Sequence, residues 1–207
     1  MPNTEIFDNM AATYDTEGRR EIATHTAQTI RDTLTQLEIE GKTLLDYGCG
    51  TGLIGLQLVD LFEKTIFMDA SEKMIEVITD KIADQNLPNA EAYCANASKK
   101  LPDSIKADVV LLAQVLLHEP DVRTLLEALS VAVNPGGAII IIDFDRNDKV
   151  ESDRVHPGFE LMQLQADLLY AGFEPIQSQL FLHAEKYFMG QDASLFILVG
   201  KKEPSIE

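Results

Sequence analysis

The chain has 207 residues, 45% of them hydrophobic, with 17 Lys and Arg against 34 Asp and Glu for a net charge of −17. Its length suits one domain with a sizeable core, and its acidity opposes nucleic acid, since the longest basic runs are the pairs Arg19-Arg20, Lys99-Lys100 and Lys201-Lys202. No apolar run is long enough for a membrane, no signal-like leader opens the chain, and Cys49 and Cys94 suit a reducing compartment, so the expectation is a cytoplasmic protein with no membrane partner.

In chain order, Ile22, Ile30, Leu34 and Leu37 fall at helical spacing, which predicts a helix over 18–39 with Gly41 as its stop. From Lys42 the pattern alternates. TLLDY reads as a strand, LIGLQLVDLF (53–62) as a helix, TIFMD as a strand and SEKMIEVITDKIADQ as a helix. AEAYCA and ADVVLLAQ follow as strands, then a helix VRTLLEALSVAV and a strand GAIIIIDF. Such alternation predicts a doubly wound, mostly parallel sheet with helices on both faces. The runs VVLL and AIIIID are apolar throughout, as central strands buried on both sides require. A helix is expected at about 157–171, ending at Gly172. EPIQSQLFLHA and SLFILVGK then form an antiparallel pair across the turn region EKYFMGQDA.

The chemistry concentrates at LLDYGCGTGLIG. Glycines after an apolar strand let the backbone turn sharply and approach a ligand, and the helix expected after them offers free amides at the same point. Gly50–Gly55 fits the dinucleotide pattern GxGxxG, but a nucleoside carrying an amino acid fits the same turn. Asp46, two residues before Gly48, opposes a pyrophosphate and welcomes an ammonium group. Asp69 ends the next strand, 19 residues after Gly50, near the interval at which an acid meets a ribose hydroxyl pair. The competing role for this segment is local, with Ser71 starting the next helix and Asp69 merely beside it.

These stretches, in this order, resemble the class I S-adenosylmethionine-dependent methyltransferases, in particular small single-domain members of bacterial type. LLDYGCGTG is similar to the family's first motif, which implies that Gly48, Cys49, Gly50, Thr51 and Gly52 cradle the methionine part of the cofactor while Asp46 orients its amino group. FMDASEKMIEV resembles the second, implying that Asp69 binds the ribose and that Ala70 and Met74 lie near the adenine. YCANASKKLP resembles the third, with Asn96 where an adenine-contacting Asp is common and Ala97 supplying the next backbone amide. DVVLLAQVLLHEPD is similar to the fourth-strand segment, which places Gln114 along the cofactor and His118 at the mouth of the active site. VNPGGAIIIIDF and LLYAGFEP resemble the following turn-strand and pre-strand segments, and FDNMAATYD a cap in which Tyr14 covers the cofactor.

The resemblance implies a seven-stranded Rossmann-like fold, residues 1–41 being an N-terminal cap and helix on an α/β core of 42–207, in one domain. It also implies methyl transfer from S-adenosyl-L-methionine to a small-molecule acceptor by in-line displacement, leaving S-adenosyl-L-homocysteine. The alternatives are an NAD-dependent oxidoreductase, another enzyme that uses the fold with a related cofactor, and a non-catalytic cofactor-binding regulator. His118 is the candidate base for an acceptor that sheds a proton. His156 is a weaker candidate for substrate contact, whereas His25 and His183 read as structural. No His, Cys, Asp and Glu set has metal-ligand spacing, so no metal is expected. Residues 143–154 read as a solvated acidic loop, and Arg19-Arg20 as a solvent-facing pair. Oligomeric state and the acceptor atom leave no signal in the sequence.

Overall fold

The computed structural model describes residues 4–39, 41–95, 101, 102 and 104–204. Among them, seven strands form one sheet: β1 (Thr43–Tyr47), β2 (Lys64–Asp69), β3 (Ala90–Cys94), β4 (Ala107–Ala113), β5 (Val133–Phe144), β6 (Phe173–Phe188) and β7 (Gln191–Lys202). Their order is β3-β2-β1-β4-β5-β7-β6, with β7 antiparallel to both neighbours and every other pairing parallel. The chain reverses its direction of travel across the sheet between β1 and β4. A crevice therefore opens beyond the carboxyl ends of those strands, where open α/β sheets bind ligands. The apolar runs sit as patterned: Val110 through Leu112 and Ala138 through Ile142 are fully buried.

Five helices cover this sheet among the described residues: α1 (Thr4–Met10), α2 (Glu17–Gln36), α3 (Glu72–Asp84), α4 (Val122–Ala132) and α5 (Leu161–Tyr170). Helix α2 starts where Thr16 accepts a hydrogen bond from the Arg19 amide, and it buries Ala23, Ala27, Ile30 and Leu34 along one stripe. It ends before the expected glycine. Glu38 takes the left-handed conformation (φ 48°), and the Ile39 amide reaches back to the Leu34 carbonyl. Ile39 thereby packs against the core, and this closure serves the role a glycine usually fills. Helix α3 is capped by Ser71, whose hydroxyl accepts from the Met74 amide while Met74 and Ile78 are buried below.

Three expectations change. Residues 53–62 form not an α-helix but two 3-10 turns, Gly55–Gln57 and Val59–Leu61. No side chain caps either turn, and the Gly55 amide is drawn to the Asp46 carboxylate, so bonds to the residue three back replace the helical ladder. The last helix begins at Leu161, not 157, because Pro157 and Phe159 pair instead with the chain leaving β5: the Asn147 and Arg146 amides donate to their carbonyls, and the Phe159 amide donates to the Phe144 carbonyl. The terminal hairpin is longer than its turn region suggested. It closes at Met189-Gly190, both at positive φ, with an irregularity between Ala184 and Phe188.

Gly52 lies at φ 79°, and a Cβ there would stand 1.9 Å from the Ile78 side chain of α3. Its hydrogen is what lets the loop after β1 lie flat on α3. Gly52→Ala is expected to cost about 2 kcal/mol or more through backbone strain and overpacking together. Urea unfolding within about 0.5 kcal/mol of the parent, the range of a neutral surface change, would remove that account.

Candidate active site

The loop after β1, the end of β2 and the segment after β4 surround one cleft, roofed by the chain before α2. Tyr14, Asp46, Gly48, Cys49, Gly50, Thr51, Asp69, Met74, Gln114 and His118 all line it. Two other residues singled out from the sequence do not: Gly52 is turned against α3, and Ala70 lies past the cleft wall. Asn96 and Ala97 lie outside the described residues.

Asp69 organises the floor. One carboxylate oxygen accepts the Gly50 amide at 2.9 Å and the other the Ser71 amide at 2.8 Å. The two roles weighed for this segment coexist, because Ser71 caps α3 with its hydroxyl while Asp69 still faces the cleft. Burial raises the Asp69 carboxyl above its ordinary value, against the pull of those amides. Asp46 lies deeper, 3% exposed and accepting from the Gly55 amide. Burial, then repulsion from Asp69, pushes its carboxyl up to about 7. Gly50 sits at φ 54° with open space where a Cβ would stand, so the loop presents bare backbone to the cleft. Burial also raises the Cys49 thiol, which stays protonated. The Thr51 hydroxyl is committed to Asp15 and so offers the cleft its backbone rather than its side chain.

The opposite wall is aromatic and apolar. Gln114 holds a positive φ of 57° while its amide donates to the Ile142 carbonyl at 2.7 Å, which turns the chain out of β4 into the cleft. Its side-chain amide stands 3.5 Å from the Tyr187 hydroxyl. His118 ends a 3-10 turn, Leu116–His118, and meets the edge of Phe7 with ring centroids 5.0 Å apart at 87°. Its Nδ1 is buried without a hydrogen-bond partner, and burial lowers its pKa to about 4. The imidazole is therefore neutral at pH 7, with a free nitrogen.

Several cleft residues escaped sequence reasoning. Arg19, read as solvent-facing, lines the cleft: its guanidinium donates to the Tyr14 carbonyl at 2.9 Å and lies 4.2 Å from the Tyr14 ring centroid. Phe7 was within reach, since it lies in the cap stretch that carries Tyr14. Tyr187 was not, because only the irregularity in β6 turns it inward from a segment that reads as a turn. Asp143 corrects the solvated-loop reading of 143–154. It is fully buried, accepts from the Leu117 amide at 3.3 Å and the Phe144 amide at 2.9 Å, and so holds the turn that carries His118. His156 is exposed, stacked on Phe159 and off the cleft.

The comparisons with known proteins agree with this arrangement. A methyltransferase-domain profile matches residues 39–186, and the chain belongs to that family. It is 26% identical to an uncharacterised methyltransferase of Schizosaccharomyces pombe, over 80% of this chain and 58% of that one. It is 28% identical to a ubiquinone biosynthesis O-methyltransferase of Coxiella burnetii, over 55% of this chain and 48% of the relative. The chain thus spans about half the length of these curated relatives. A crystal structure of a SAM-dependent methyltransferase from Aquifex aeolicus superposes with TM-score 0.73 at 18% identity, covering 94% of this chain and 97% of that one. Family membership settles the choice that Gly50–Gly55 left open, against a dinucleotide oxidoreductase.

Burial also raises the Asp143 carboxyl to about 7, outweighing its backbone hydrogen bonds. A folded value above the unfolded one means that the folded protein holds the extra proton. The stabilising contribution is complete below about pH 4 and is lost as pH rises through about 7. Asp143→Asn is therefore expected to flatten the fall in melting temperature between pH 5 and pH 8. An unchanged slope would show that Asp143 is ionised throughout.

Proposed function

We propose that the protein transfers a methyl group from S-adenosyl-L-methionine to a small-molecule acceptor, in a single domain whose residues 1–41 form the cap and first helix and 42–207 the α/β core. The observation that carries this reading is the pair of carboxylates, Asp46 and Asp69, facing one cleft at a glycine loop whose backbone is bare at Gly50. Two acids in a low-dielectric pocket favour a cationic nucleoside and disfavour a pyrophosphate. The residues present fit that group. Asp69 is placed for the ribose hydroxyls, each oxygen keeping a lone pair beyond its amide bond, and Asp46 for the amino group. The backbone from Gly48 to Thr51 would receive the methionine portion, Met74 the adenine, and Tyr14 and Gln114 the sides. Asn96 is proposed for the adenine and Ala97 for a backbone amide beside it, as the family resemblance implies, while Gly52 and Ala70, off the cleft lining, flank the residues that form it.

When bound, the cofactor supplies a methyl group on a sulfonium, ready for in-line displacement. The protein's own part is orientation and exclusion of water. Phe7, Leu117 and Tyr187 wall the acceptor side with apolar and aromatic surface. Neutral His118, lining the cleft, is the residue to take the proton that a hydroxyl or amine acceptor sheds. The quinone-pathway relative methylates oxygen, as its name states, and a neutral ring of that kind suits these walls. Among the described residues no helix is long and apolar enough to cross a membrane, which accords with a cytoplasmic enzyme acting on a small molecule. The high negative charge argues against a nucleic acid acceptor.

Calorimetric titration with S-adenosylhomocysteine tests the reading. Asp69→Ala is expected to weaken binding about tenfold or more while the fold persists, the loss of hydrogen bonds to a charged group. An unchanged affinity would remove the ribose role. A bound ammonium opposes both causes that hold Asp46 near 7, so affinity should strengthen as pH rises from 6 to 8, with a proton released. Binding that is indifferent to pH would place the ammonium elsewhere.

A further inference from the structure

The segment before α2 roofs the cleft through Phe7 and Tyr14, yet it has almost no apolar hold of its own. Helix α1 buries no residue, and the 3-10 turn that follows, Ala11–Thr13, buries only Ala11. Polar contacts therefore decide whether the roof stays down, and they gather at two points. Asp8 accepts from the Ser71 hydroxyl at 2.6 Å and from the Lys73 amide at 3.4 Å, at the start of α3. Asp15 is held more fully. The Thr51 hydroxyl donates to one carboxylate oxygen, and the Lys81 ammonium donates to the other at 2.6 Å. Lys81 also donates to the Thr51 carbonyl at 2.7 Å, closing a three-residue ring. Asp15 adjoins Tyr14 and Thr51 itself lines the cleft, so this ring stands one residue from the cleft on the roof side and at its edge on the floor side.

We infer that Lys81 is a positioning residue that latches the roof segment over the cofactor cleft through Asp15 and Thr51, and so sets how fast the cofactor is exchanged. Lys81 does not line the cleft. Its ion pair with Asp15 is largely shielded, with side-chain exposures of 26% and 17%, unlike the open surface pairs Lys42–Glu63 and Lys73–Glu76. A ligand enters and leaves only with the roof raised. Breaking the latch lowers the cost of raising it equally in free and bound protein, so association and dissociation quicken together and affinity stays level. A residue that merely supports the glycine loop has a different signature, weaker affinity through faster dissociation alone.

The inference rests on the cofactor reading above, and the test separates the two. Surface plasmon resonance with the immobilised full chain and S-adenosylhomocysteine gives both rate constants. Lys81→Met and Asp15→Asn should each raise both rates about tenfold, the worth of one charge-assisted hydrogen bond, with Kd within about twofold. Lys81→Arg, which can still reach both oxygens, should restore the parent rates. Asp15→Asn leaves α3 untouched, so it reads the latch even if Lys81→Met folds poorly. Unchanged rates in Asp15→Asn, or a raised Kd with unchanged association, would overturn the latch. If the parent chain fails to bind the ligand, the cofactor reading falls. The latch is then judged on the free protein, where amide exchange over residues 5–15 should quicken in both variants, and unchanged exchange overturns it.

Discussion

The Asp69 carboxylate is the joint on which the site turns. It ends β2, yet its two oxygens hold the amides of Gly50, in the loop after β1, and Ser71, at the start of α3. Hydrogen bonds to an ionised acceptor are the strong ones, and here two of them fix the separation of two strand ends and the first turn of a helix. Ser71 passes the constraint on, accepting from Met74 within α3 and donating to Asp8 in the roof. Without this carboxylate, loop, helix and roof would lose their common reference.

Electrostatics then narrows what the cleft accepts. Asp46 and Asp69 lie close together in a poorly solvated floor, and burial together with mutual repulsion makes Asp46 costly to ionise. A cation relieves both penalties, whereas a polyphosphate worsens them. Across the cleft, Arg19 is already bonded to the Tyr14 carbonyl and stacked on its ring, leaving neutral imidazole, phenol and apolar surface. The end of β5 supports this wall from both sides. Asp143 holds the turn that carries His118, and Phe144 stacks on Phe188 at 4.2 Å and leans on Tyr187 at 5.8 Å. One buried acid and one buried ring thus place residues far apart in sequence.

Much of this was legible in the chain. Continuous apolar runs marked β4 and β5, because strands covered on both faces have no polar face to show. The glycine loop was legible because it is built from consecutive residues, and Gly48 through Thr51, with Asp69 and Met74, line the cleft. Local pattern failed where a distant group intervened. Residues 53–62 have helical spacing, but the buried Asp46 draws the Gly55 amide and the segment tightens into 3-10 turns. Glu38, not Gly41, ends α2 because packing of Ile39 makes the left-handed closure worthwhile.

By itself the sequence determined the alternation of strands and helices, the glycine loop and the two acids at strand ends, since each depends on periodicity or on neighbours a few residues away. Only the tertiary structure decided which further residues join His118 in the cleft wall. Phe7, Arg19 and Tyr187 come from the roof, α2 and the bulged β6, and no local rule relates them. It also decided that Asp143 is a buried anchor and not a solvated acid, because burial belongs to the assembled fold and not to the stretch of chain that carries it.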